Sequence, residues 1–201
     1  MGGLSIEQWL IVAGSVIYAG GTCAYVLDTV AGRTKPNRVT YAMWSLAPLV
    51  GAGAAMNAGA DLWSTIPIFV SGILPLFTLL ASYLNPRSYW KLTPFDLACG
   101  ALSLAALALW LLVDHPTFAL VLAVAGDAFA SYPTVKKAIR YPETETGVAY
   151  LASALGVTAV LPAIPEWTLE NCIFQTYLIL LNALLAGAVL SGPRRVRLAE
   201  A

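Results

Sequence analysis

Seven stretches of this chain are long, apolar and almost free of charge, and the charged residues gather in the breaks between them. That pattern leaves few folds open. A helix needs about 20 mostly apolar residues to cross the hydrocarbon core of a bilayer. The stretches lie near 8–31, 39–60, 64–86, 95–113, 117–138, 147–164 and 169–191. The breaks carry turn residues: Lys35-Pro36-Asn37, Asn85-Pro86, His115-Pro116, Tyr141-Pro142 and the run from Pro162 to Pro165. A backbone amide in hydrocarbon has no water to bond, so a spanning segment must be a helix or part of a closed barrel. The short alternating segments of a barrel are absent. Only 11% of the 201 residues are charged, too few to cover a soluble surface, where roughly 25% is usual.

The cations set the expected orientation. Arg33, Lys35 and Arg38 follow the first stretch, and Arg87 and Lys91 the third. Lys136, Lys137 and Arg140 end or follow the fifth, and Arg194, Arg195 and Arg197 follow the seventh. If the chain crosses seven times, all 11 Lys and Arg fall on one side. The other side receives Glu7, Asp61, Asp114, Glu166 and Glu170 and no cation. Cytoplasmic loops carry the excess of Lys and Arg, which predicts the N-terminus outside and the C-terminus inside. The small size and short tail fit a multi-pass protein of a bacterial inner membrane.

The chain also repeats itself at an offset of 106. Gly20 meets Gly126, Ala24 meets Ala130, Pro36 meets Pro142, Thr40 meets Thr146, and Trp44 meets Tyr150. Further on, Trp63 meets Trp167 at a slightly shorter offset, and that register pairs Ser71 with Gln175 and Thr78 with Asn182. The repeat predicts two three-helix units, 5–86 and 117–191, within one membrane domain over 1–201. Both units start outside and end inside, so they are parallel. Parallel units require an odd number of spans between them, and the stretch at 95–113 is that linker. The expected fold is all-α with a 3+1+3 order.

Tyr132-Pro133-Thr134-Val135-Lys136-Lys137-Ala138 and the following "RYPETETGVAY" resemble the PQ-loop pattern. Thr134 stands where that pattern usually has Gln, and Leu27-Asp28 stands where the first half would have Pro-Gln. The 3+1+3 count with the N-terminus outside is similar to the SWEET-like branch of that superfamily of small membrane transporters. The resemblance implies a transporter bundle. It does not name a solute, because sugars, vitamins and amino acids are all carried by such proteins, and one member is a receptor for sorting signals.

Few residues inside the spans could carry function. Asp127 lies near the middle of the fifth span, where an acid costs roughly 2.5–3.5 kcal/mol on insertion scales. It needs a partner, a cavity or a proton. Asn182, Gln175, Ser71 and Thr78 occupy equivalent places in the two halves and are expected along a substrate pathway; the alternative is interhelical hydrogen bonding, about 0.6 kcal/mol on average. Trp44 and Tyr150 form either a stacking wall or part of the interfacial aromatic belt. Pro133, Pro67 and Pro75 are candidate hinges, since each removes a backbone donor inside a helix. Asp28, Thr134 and Lys136 are expected at the cytoplasmic mouth.

These residues point to a carrier, facilitative or proton-coupled, for a small polar solute. The alternative is a non-transporting receptor or assembly protein on the same scaffold. A retinal-type receptor would need a Lys in the seventh span, and 169–191 contains none. An enzyme is not expected, because His115 beside Asp114 offers too little chemistry. Cys23, Cys99 and Cys172 are far apart in the chain and read as packing residues. Neither metal, cofactor nor nucleic acid is expected as a partner. The lipid bilayer and a small polar solute are, and protons and a homo-oligomer stay open.

Overall fold

The computed structural model describes residues 4–113, 115–164 and 166–199, without the side chains of residues 116, 169, 170 and 193–199. Asp114, Glu170 and the cations Arg194, Arg195 and Arg197 of the orientation argument therefore lie outside the described residues or side chains. The chain is all-helical over this range, with seven α-helices: α1 (Ile6–Val30), α2 (Arg38–Asn57), α3 (Leu62–Ala81), α4 (Pro94–Trp110), α5 (Pro116–Arg140), α6 (Gly147–Val160) and α7 (Leu169–Ala199). Five of them are long and apolar enough to cross a bilayer, while α4 and α6 are shorter apolar helices.

The helix starts follow local chemistry. Ser5 and Gln8 form a capping box at α1, and Thr93 and Asp96 form another at α4. Asn37 caps α2 by accepting from the amides of Val39 and Thr40, and Asp61 caps α3. α3 stops at Ala81, five residues before the expected limit at 86, because Ser82 turns its hydroxyl back to the Leu79 carbonyl and Asn85 caps a separate 3-10 turn at Pro86–Ser88. At the other extreme α7 continues to Ala199, beyond the apolar stretch. Gly32, at φ 78°, ends α1 and reverses the chain so that the Arg33 amide donates to the Asp28 carbonyl.

The surface is that of a membrane protein. Long aliphatic and aromatic side chains face outward along the helices, among them Val16, Leu27, Phe118 and Leu112, the last 78% exposed. The largest fully buried side chains, by contrast, are mostly polar: Tyr25, Asn37, Thr29, Thr34, Thr40, Thr78 and Thr134 beside Leu185. An apolar exterior of this extent would not stay dispersed in water; in lipid it is the solvated face.

α3 packs against both α1 and α2, and α7 against both α5 and α6. α4 lies mainly on α5 and touches α2. α1 meets α6 closely, and α2 meets α5 more sparsely. Small residues let α1 and α6 approach: a Cβ on Gly14 would stand 2.6 Å from the Gly156 carbonyl oxygen, and one on Gly156 2.7 Å from that of Gly14. Backbone atoms cannot rotate away. Gly156→Ala is expected to push the helices apart and cost about 1–3 kcal/mol, the usual range for overpacking. Thermal unfolding in detergent checks this, and an unchanged midpoint would show that the seam is not tight.

Candidate functional site

Two polar clusters lie inside the bundle. The first surrounds Asp127 on α5. Its Oδ2 accepts from the Ser131 hydroxyl at 2.9 Å and the Tyr177 hydroxyl at 2.8 Å. Ser131 is four residues on, so one helical turn brings it under the carboxylate. Tyr177 comes from α7. The Trp44 indole of α2 in turn donates to Ser131 Oγ at 3.0 Å. Residues from α2, α5 and α7 thus converge on one acid.

Hydrogen bonds to a charged group are worth about 1.5–3 kcal/mol each. Two of them offset much of the cost of holding a carboxylate here. Oδ1 accepts nothing from the described residues, so one oxygen of this partly buried acid is tied down and the other is unpaired.

The second cluster closes the bundle where the turns after α1, α3 and α5 meet. Lys137 and Glu145 form an ion pair at 2.7 Å, with side chains 1% and 0% exposed. The ammonium lies off the hydrogen-bonding direction of Oε1 and donates instead to the Lys35 carbonyl. It also sits 4.9 Å from the centroid of the Trp90 ring. Glu145 Oε2 accepts from the Tyr25 hydroxyl at 2.5 Å and the Tyr150 hydroxyl at 2.7 Å. Tyr25 and Tyr150 meet edge to face at 6.1 Å, and Tyr41 stacks on Tyr25 at 5.4 Å. The Lys35 amide donates to the Thr144 carbonyl at 3.0 Å, which ties the two turns backbone to backbone.

Around this plug the remaining polar groups are paired. Asp28 holds Arg33 through Nε at 2.9 Å and Nη2 at 2.5 Å, and accepts from the Thr146 hydroxyl at 2.6 Å. Thr134 donates to Thr40, and Thr40 to the Ala130 carbonyl. Asn37 donates to Asp96 at 3.1 Å and so fastens the turn to α4. Arg38 donates to Ser82 and lies 3.9 Å over the Tyr83 ring.

The expected residues divide between these clusters and the rest of the bundle. Asp127 and Trp44 share the first cluster through Ser131. Tyr150 instead belongs to the plug, with Asp28 and Thr134 beside it. Lys136 is exposed and stacks at 4.4 Å on Phe95, whereas its neighbour Lys137 is the buried lysine. Asn182 donates to the Leu178 carbonyl of its own helix, and Ser71 to that of Ile68. Gln175 Oε1 and Thr78 Oγ1 are buried without a partner among the described residues. α3 runs unbroken through Pro67 and Pro75, and α5 through Pro133, which is buried.

The sequence reading missed Ser131, Tyr177, Lys137 and Glu145 as site residues. Ser131 was within reach, one turn from the acid. Glu145 was disguised by Glu143 in the same acidic turn, yet Glu143 is exposed and Glu145 buried.

Compared with protein-family models, curated proteins and solved structures, the chain matches none.

Proposed function

We propose that this protein is a seven-span carrier that moves a small polar solute by alternating access, with Asp127 in the solute site and the Lys137–Glu145 plug as the closed cytoplasmic mouth. The observation that carries this reading is the convergence of three helices on a carboxylate with one oxygen doubly hydrogen-bonded and the other unpaired among the described residues.

The parallel 3+1+3 reading is supported by contacts that recur at the offset of 106. Asp28 bonds Thr146, and their counterparts Thr134 and Thr40 bond each other. Tyr25 meets Tyr150 edge to face, and their counterparts Ser131 and Trp44 are hydrogen-bonded. Exchanging α1, α2 and α3 with α5, α6 and α7 also exchanges the α1–α6 seam with the α2–α5 seam. Such reciprocity is what a two-fold axis along the membrane normal produces, a known transporter construction. α4 has no counterpart and acts as the linker.

The α2–α5 hydrogen bonds lie at the plugged end: Thr40 with Ala130 and Thr134, and Trp44 with Ser131. Breaking them, together with the Lys137–Glu145 plug, opens the mouth toward the cations. Closing the opposite ends of α2 and α5 then completes the cycle. The resemblance to the PQ-loop pattern agrees with this reading, because the plug is built from the two basic turns.

Cysteine accessibility in intact cells tests the orientation. In a background lacking Cys23, Cys99 and Cys172, Lys35→Cys and Arg140→Cys are expected to resist an impermeant reagent applied outside and to react after permeabilisation. Labelling from outside at either position would defeat the topology, and the parallel repeat with it. Uptake into proteoliposomes, with Asp127→Asn as the control, tests the carrier itself.

A further inference from the structure

We propose that the solute held at Asp127 is a small organic cation, of ammonium or guanidinium type. The inference rests on the carrier reading above and adds the charge of what is carried. It comes from the donors and acceptors left over around the carboxylate. The Tyr177 hydroxyl and the Ser131 hydroxyl both spend their single proton on Asp127 Oδ2, and the Trp44 N–H is spent on Ser131. A hydroxyl has one donor and an indole only its N–H. No donor is left among these groups. What remains is acceptor capacity: Oδ1 and the free lone pairs of the two hydroxyl oxygens. With the carboxyl ionised, a solute docking on these three groups must bring hydrogen atoms. A carboxylate or phosphate group is refused, and a sugar, which offers acceptors as freely as donors, is poorly matched.

Charge points the same way. Among the described residues the two ion pairs are Asp28–Arg33 and Lys137–Glu145, both at the plugged end. Among the described residues no cation is paired with Asp127. An ionised carboxylate without a counter-charge recognises an ammonium or guanidinium by charge and by donated hydrogens together.

The test uses cation and neutral isosteres of one shape: guanidinium against urea, and 2-hydroxyethylammonium against propan-1-ol. Thermal unfolding of the purified full chain in detergent reads binding. The two cations are expected to raise the midpoint in a saturable way and the neutral partners to leave it unchanged. Asp127→Asn is expected to weaken cation binding about tenfold or more, the scale of a lost charge-assisted contact. The wild-type comparison decides the matter alone should that variant fold poorly. Equal shifts from the neutral partners, or no shift from either cation, would overturn the inference. Uptake by proteoliposomes separates it from the carrier reading. Transport of a neutral solute that requires Asp127 would sink the cation and keep the carrier; cation binding without transport of any kind would do the reverse.

Discussion

Glu145→Gln is expected to lower the stability of the protein by about 3–5 kcal/mol, the cost of leaving a buried charge without its partner. The variant keeps an acceptor for Tyr25 and Tyr150 but strands the Lys137 ammonium, which is 1% exposed. Lys137→Met is expected to cost a similar amount by stranding the carboxylate. For a chain of this length about 2–4 °C accompanies each kcal/mol, so the midpoint should fall by about 10 °C in either case. The double variant is the informative one. With both charges gone neither is stranded, and its midpoint is expected to return most of the way to wild type. Additive losses in the double variant would show that the two side chains act separately and that the ion pair is not what closes this end.

Asp127→Asn is expected to act in the opposite manner, with a small effect on folding and a large one on transport. The amide oxygen still accepts from Ser131 and Tyr177, so stability should change by no more than about 1 kcal/mol, one neutral hydrogen bond. On the carrier reading, uptake should fall about tenfold or more, because the group proposed to meet the solute loses its charge. The carboxyl is also the group able to carry a coupling proton, so any pH dependence of uptake should vanish with it. Unchanged uptake with unchanged pH dependence would remove Asp127 from the pathway. A variant that unfolds would assign the acid to structure instead.

Much of the fold was legible because membrane insertion leaves little freedom. Apolar length, turn residues and the placement of Lys and Arg located seven helices, most ends falling within a few residues of those observed. The misjudged ends of α3 and α7 depend on a Ser82 side-chain turn and on polar continuation of a helix, which hydropathy does not register. The site was less legible. Asp127 stood out by cost alone, since an acid amid apolar residues must have a reason. Tyr177 was hidden because its role depends on how α7 is rotated against α5, a property of packing rather than of local pattern. Lys137 and Glu145 were hidden for another reason: in a basic turn and an acidic turn at the membrane edge, charge reads as solvated. Only the folding of both turns onto Tyr25 and Tyr150 buries the pair.

Alternating access is the central claim, and Thr40 and Thr134 report on it most directly. Both are 0% exposed at the plugged end, and they bond each other between α5 and α2. Thr40→Cys and Thr134→Cys, each in a background without the native cysteines, can be followed with a water-soluble thiol reagent in inside-out membrane vesicles. A carrier must open this mouth in every cycle, so both positions are expected to react to completion, at a rate that saturating solute changes. Protection that persists until the protein is denatured, with or without solute, would contradict the account and leave a static scaffold in its place.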